Sequence, residues 1–143
     1  LTADIAIRPA KKLSADLMGD KAGEVVFKTY TVSTDVTGWL GLTGSLSGSV
    51  AAEWIATHVP HDMISHGADS FLALREMAAK GLGKVLMPAF LGSRDQRLIE
   101  LDTGPYIPSA PLWVASQTEM YHNPRISAVR DILVTELEKA LAA

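Results

Sequence analysis

The chain is 143 residues long, with 48% hydrophobic residues, 20% charged residues and a formal net charge of -3. Scaling of surface with mass lets a compact fold of this size remove about two-thirds of its unfolded-chain surface from water, enough for one real core. The composition excludes a disordered tail and a collagen-like repeat, and the lack of cysteine excludes a disulfide scaffold and thiolate metal sites.

Asp4-Ile5-Ala6-Ile7-Arg8 reads as a short buried strand ended by Pro9. Residues 10–23 are polar and punctuated by Gly and Lys, as in a surface connection. Glu24 to Ser33 is rich in Val, Phe, Tyr and Thr, the composition of one long strand. A turn at Asp35–Gly38 leads to a strand at Trp39–Thr43. Val50, Ala51, Trp54, Ile55 and His58 recur at helical spacing, and Pro60 stops that helix.

The alternation then repeats. Asp62–His66 is a short strand, and Gly67–Ser70 is a turn able to cap a helix. Phe71, Leu74, Met77 and Ala78 form that helix's apolar stripe, with Gly81 as its left-handed stop. Val85–Met87 is a strand closed by Pro88, Leu98–Leu101 a weaker strand, Gly104–Pro108 a rigid connector and Leu112–Ala115 a strand. Asn123-Pro124 caps a last helix, with Ile126, Val129, Ile132, Leu133, Leu137, Ala140 and Leu141 on its apolar face. Arg125 and Arg130 fall to its solvated face.

Strand–helix alternation from Trp39 to Met87 predicts a parallel sheet with right-handed crossovers. In such sheets ligands sit outside the carboxyl ends of the strands, here Arg8, Thr43-Gly44-Ser45 and His66 to Ser70. Thr43 to Ser49 offers hydroxyls and N–H groups that suit a carboxylate or phosphate, or simply an N-capped turn. It is neither a nucleophile elbow, since Leu46 takes the middle position, nor a phosphate loop, since no Gly-Lys ends it. His58, His61 and His66 match no metal-ligand spacing, so no metal and no cofactor is expected. No pattern ties a histidine to a serine, so no enzymatic chemistry is expected. Arg8 ends an apolar strand, where its guanidinium fork either recognises a carboxylate or stays solvated.

No apolar run approaches the ~18–20 residues of a membrane span. The first residues carry no basic secretory segment, and the lack of cysteine fits a reducing compartment, so a cytoplasmic location is expected. The acidic balance argues against this chain itself gripping a phosphate backbone. Leu1 is not an initiator Met, which predicts a piece of a longer protein.

In order along the chain, these pieces resemble the effector-binding domain of LysR-type transcriptional regulators. Ala3 to Pro9 is similar to the family's Asp-Ile-Ala-Ile-Arg strand. Ser70 to Gly83 with Val85-Leu86-Met87-Pro88 is similar to its serine-started helix, glycine stop and proline-ended strand. Ala89-Phe90-Leu91-Gly92, Asp95, Leu98 and Leu101 resemble the stretch after it, and Leu112-Trp113-Val114 with the last helix its close. Two departures stand out. Only Thr34–Thr37 separates Ser33 from Gly38, where the family has a longer stretch, and the pattern places Leu1 inside the first lobe, after the family's helix-turn-helix, linker helix and opening strands.

The resemblance implies an α/β fold of the type II periplasmic-binding-protein kind, with two lobes of mostly parallel sheet joined by crossover strands. Lobe I would be residues 1–23 and 104–143, and lobe II residues 24–103. A small effector would bind between the lobes and shift their arrangement, with DNA bound only through a separate helix-turn-helix domain. The expected site is Arg8, Thr43, Ser45, His66, Asp69 and Ser70, with Pro88 shaping its wall, and the expected ligand is a small anion. The resemblance further implies a homo-oligomer, with apolar surface exposed on the last helix or the Asp4–Arg8 strand. The alternatives are a fragment of a periplasmic solute-binding protein, which shares the fold, and a small α/β hydrolase using the Ser45/Ser47 turn.

Overall fold

The computed structural model describes residues 4–142. Ala3, which opens the first family-like segment, lies outside them. In chain order the strands are β1 (Ala6–Pro9), β2 (Leu17–Val25), β3 (Phe27–Thr31), β4 (Trp39–Leu42), β5 (Ile64–Ala68), β6 (Val85–Pro88), β7 (Ile99–Leu101) and β8 (Ala110–Gln117). The helices are α1 (Val50–His58), α2 (Phe71–Ala79), α3 (Ala89–Gly92) and α4 (Pro124–Ala142). The chain divides into two compact units: one runs to Val25 and resumes at Ala110, and the other is Val26–Ser109.

In the first unit β8 is the central strand, antiparallel to β1 on one side and β2 on the other. Gly19 is required by the close approach of β2 to β8, because a Cβ there would stand 2.6 Å from the Val114 carbonyl oxygen. α4 packs on β2 and β8. It starts where Asn123 Oδ1 accepts the Arg125 N–H at 3.0 Å, the N-cap that the sequence announces.

The first unit corrects four expectations. β1 is not buried: Ile7 is 49% exposed and Arg8 is open to solvent, because only the β8 edge of this strand is paired among the described residues. The expected connection at 10–23 contains most of β2, whose Gly, Asp and Lys mask a strand shaped by a bulge at Lys21–Gly23. The single strand expected over Glu24–Ser33 is two, broken at the exposed Val26, where the chain passes from one unit to the other. On α4, Val129 and Ile132 are exposed while Arg130 is 4% exposed. Arg130 lies four residues after the buried Ile126, on the same helical stripe, so position and not charge decides its side.

In the second unit β3 lies between β6 and β7, antiparallel to both, and β4 pairs with β5 in parallel. A parallel bridge at Trp39 and Lys84 joins β4 to the start of β6, with Leu40 N–H donating to Lys84 O and Lys84 N–H to Gly38 O, both at 2.8 Å. Leu40, Leu74, Val85, Leu86 and Met87 are fully buried and form the core. α2 ends as its glycine predicts: Gly81 has φ +81° and the Leu82 N–H reaches back to Met77 O at 3.1 Å.

Parallel pairing thus holds within Trp39–Met87, but the expectation of mostly parallel sheets is corrected. β1–β8, β2–β8, β3–β6 and β3–β7 are all antiparallel. Parallel neighbours need a crossover element between them: α1 joins β4 to β5, and the stretch through α1, β5 and α2 joins β4 to the start of β6. No helix lies between β1 and β2, between β2 and β3 or between β7 and β8 in sequence. After Pro88 the chain forms the short helix α3, seated so closely that a Cβ on Gly92 would lie 2.2 Å from the Tyr30 ring. Residues 104–109 stay with the second unit, where the Trp54 Nε1–H donates to Tyr106 O at 3.1 Å.

Candidate functional site

The turn after β4 and the turn after β5 meet. Thr43 N–H donates to Ala68 O at 3.0 Å, which extends the parallel register past the strand ends. Gly44 then takes φ +55°, a conformation that an L side chain rarely adopts, and a Cβ there would lie 3.0 Å from the Asp69 Cβ. The chain folds into a single 3-10 turn at Gly44–Leu46. Ser45 Oγ–H donates to Asp69 O at 3.4 Å and Ser47 Oγ–H to Gly44 O at 2.7 Å.

Two helix starts therefore lie next to one another. Ser49 Oγ accepts from Ala52 N–H at 3.1 Å at the start of α1, and Ser70 Oγ accepts from Ala73 N–H at 3.4 Å at the start of α2. Gly44 and Ser45 open the 3-10 turn, and Phe71 and Leu72 open α2, so their N–H groups have no partner within those helices. Thr43, Ser45 and Asp69 are exposed. Chemically the arrangement offers N–H donors, hydroxyls and the Asp69 carboxylate, a set for reversible binding.

Of the residues nominated by the sequence, Thr43, Ser45, Asp69 and Ser70 are brought together. His66 sits mid-strand on β5, opposite Leu40 and exposed, upstream of the turn. Pro88 is buried at the carboxyl end of β6, the same end of the parallel strands, and is paired with Phe27 on β3. Arg8 belongs to the first unit, where it lines a cavity of about 200 Å³ with Ser14, Asp16, Leu17 and Gln117. There the Ser14 hydroxyl donates to Asp16 Oδ1 at 2.8 Å. That hydrogen bond, with smaller contributions from the backbone and Arg8, holds the Asp16 carboxyl below its ordinary range.

Three clusters escaped the sequence. In the first unit the Arg130 guanidinium lies 3.7 Å over the Tyr121 ring and donates to Tyr121 O at 2.9 Å and Asp20 Oδ2 at 3.3 Å. Tyr121 Oη–H donates to Asp20 Oδ1 at 2.7 Å, and that bond raises the phenol's pKa. In the second unit Arg97 forks onto Asp95 at 3.0 and 2.7 Å and reaches Glu76 at 2.8 Å. Hydrogen bonding from Arg97 pulls the Asp95 carboxyl down to about 2. The third cluster is a groove of about 340 Å³ at the amino-terminal ends of β4 and β6, with Trp39, Trp54 and His58 in its wall. The spacing of Trp54 and His58, one helical turn apart, is the only sequence signal for it.

Among the described residues no group of three His, Asp or Glu is placed to hold a metal ion, and no helix is long and apolar enough to cross a membrane.

The family model of the LysR substrate binding domain matches residues 39–138. No curated protein matches the chain. Among solved structures, the regulatory domain of CrgA from Neisseria meningitidis is similar at 22% identity and a TM-score of 0.71, over 94% of this chain and 75% of that one. The longer CrgA structure is similar at 24% identity and a TM-score of 0.72, over 94% of this chain and 52% of its own. The reduced OxyR regulatory domain from Pseudomonas aeruginosa is similar at 16% identity and a TM-score of 0.67, over 98% of this chain and 73% of that one. At these identities the structures speak for the shared type II periplasmic-binding-protein-like fold, while the family match spans most of the chain from β4 into α4. The chain belongs to the LysR substrate-binding domain family and is the effector-binding domain of a LysR-type transcriptional regulator.

Proposed function

We propose that this domain senses a small polar effector at the turn formed by Thr43, Ser45, Asp69 and Ser70 and performs no catalysis. The observation that carries this reading is the meeting of two strand ends and two helix starts, tied by Thr43 N–H to Ala68 O and Ser45 Oγ to Asp69 O. The N–H donors and hydroxyls suit an acceptor such as a carboxylate, and the Asp69 carboxylate suits a hydroxyl or amine on the same ligand. Asp69 makes a purely anionic effector, the simpler expectation, less favourable. Within the second unit, His66 on β5 and Pro88 at the carboxyl end of β6 complete the proposed set. A serine nucleophile needs an adjacent base, and both Ser45 and Ser47 spend their hydroxyl protons on backbone carbonyls.

Binding biases an equilibrium between two conformations of the domain, by as much as the ligand's affinity for them differs. The parent protein acts in the cytoplasm as a homo-oligomer and binds DNA through a domain outside this chain. Exposed Ile7, Val129 and Ile132 supply apolar surface for self-association.

Thermal shift against a panel of small hydroxy acids, amino acids and simple carboxylates tests the reading, since a ligand of the native state raises the melting temperature by mass action. Hits weakened about tenfold by Ser45→Ala and by Asp69→Asn are expected, equivalent to about 1.4 kcal/mol each. Hits indifferent to both variants overturn the site. Ester turnover abolished by Ser45→Ala overturns the non-catalytic reading.

A further inference from the structure

The groove at the amino-terminal ends of β4 and β6 lies at the opposite end of the parallel strands from the Thr43 turn. It is open to solvent, and its volume of about 340 Å³ falls within the range of small-molecule sites. Trp54 stacks on His58, with ring centroids 4.7 Å apart and planes at 28°, and meets Trp39 at 5.8 Å. The rings are fixed before any ligand arrives. Trp54 Nε1–H donates to Tyr106 O at 3.1 Å, and His58 Nδ1 lies 3.1 Å from Trp54 O.

Two opposite charges line the same groove without pairing with each other. Lys84 Nζ lies 4.9 Å over the Trp39 ring and, among the described residues, forms no ion pair. Asp102 is exposed, its Oδ1 accepts the Gly104 N–H at 2.9 Å at a turn set by Gly104 with φ +88°, and its Oδ2 has no hydrogen bond among the described residues. Val59 and Pro105 add apolar surface to the lining.

A lone carboxylate would suit Lys84 but meet repulsion from Asp102, and a lone amine the reverse. A ligand carrying both groups satisfies both poles, and an apolar side chain on it covers the aromatic wall. We propose that this groove is a second small-molecule site, distinct from the Thr43 turn, that takes an α-amino acid with an apolar side chain: its carboxylate on Lys84 Nζ, its ammonium on Asp102 and its side chain against His58, Trp54 and Trp39.

The intrinsic fluorescence of the 143-residue chain, excited at the red edge of tryptophan absorption, reads the site directly. Trp39 and Trp54 are in the groove, whereas Trp113 is held in the first unit by its hydrogen bond to Ala10 O. The probe is L-phenylalanine, compared with 3-phenylpropanoate, which lacks the amine, and phenethylamine, which lacks the carboxylate. A saturable change with L-phenylalanine is expected, weakened at least tenfold with either analogue. Lys84→Met keeps the aliphatic stem and removes the cation; Asp102→Asn keeps an acceptor for Gly104 N–H and removes the anion. Each should weaken L-phenylalanine at least tenfold, with the chain's circular dichroism and melting unchanged. No saturable response at millimolar L-phenylalanine overturns the proposal. So does equal binding of either analogue, or a response indifferent to both substitutions in folded protein.

Discussion

At its carboxyl end β4 opens into Thr43, Gly44 and Ser45, all exposed and tied to the neighbouring turn by bonds of 3.0 Å from Thr43 N–H and 3.4 Å from Ser45 Oγ. At its amino end the same strand begins with Trp39, 8% exposed and packed at a 45° tilt against Trp54, itself 5% exposed. One end presents solvated polar groups on a turn with no buried residue. The other is a prebuilt apolar wall whose removal would open the core. Ligand-responsive segments come from the low-stability end of a fold, and scaffold from the high-stability end. The polar turn accordingly suits a sensed effector, and the aromatic groove suits binding without rearrangement.

The largest expected effect is at the wall. Trp54→Ala deletes a buried indole, its two ring contacts and the hydrogen bond to Tyr106 O, and should cost about 3–5 kcal/mol in denaturant unfolding. A loss below about 1 kcal/mol, the scale of a surface change, would break the contrast between the two ends.

Next comes the turn itself. Gly44→Ala forces a side chain into φ +55° against Asp69 and should cost about 1–2 kcal/mol. Gly48→Ala, with nothing within 4 Å of the new Cβ, should be neutral within about 0.5 kcal/mol by the same denaturant measurement. Equal costs at the two glycines would show that the turn is not held against Asp69.

Smaller still is the cap. Ser70→Ala removes the acceptor for Ala73 N–H, at 3.4 Å a long bond, and should cost about 0.5–1 kcal/mol. Helicity followed by circular dichroism through the thermal transition checks it, and a cost above about 2 kcal/mol would place Ser70 in the scaffold.

The smallest effect is a pH dependence at the far side of α2. The Asp95 carboxyl ionises at about 2 in the folded chain against an ordinary 3.8, because Arg97 hydrogen-bonds its charged form. A depressed native value means that the unfolded chain binds the proton first as pH falls. This contribution to stability is therefore complete above about pH 4 and is lost as the pH falls towards 2. Unfolding midpoints measured from pH 5 to pH 2 should fall less steeply in Arg97→Met than in the parent chain.

Much of the second unit was legible in the sequence. The helical spacing of Val50, Ala51, Trp54 and Ile55, the serine cap of α2 and the Gly81 stop lie within a few residues of the structure they specify. The meeting of Thr43–Ser45 with Asp69–Ser70 was legible at one remove, because strand–helix–strand units put successive strand ends side by side. The first unit was harder to read. β2 hides behind Gly19, Asp20, Lys21 and Gly23, residues poor in strand propensity, and its register depends on β8, 85 positions away at Val25–Ala110 and 100 at Leu17–Gln117.

Local chemistry in the chain determined where helices start and stop, that β4, β5 and β6 alternate with helices, and which family the chain resembles. Those signals act over a few residues: a hydroxyl capping an N–H, a glycine free to take positive φ, a proline lacking a donor. Tertiary structure alone decided that Arg130 is buried, that β1 lies open along Ile7 and Arg8, and that Trp39, Trp54, His58, Lys84 and Asp102 share one groove. Burial is a property of what packs against a side chain, and those partners come from distant stretches of the chain: Asp20 for Arg130, and Lys84 and Asp102 for Trp39.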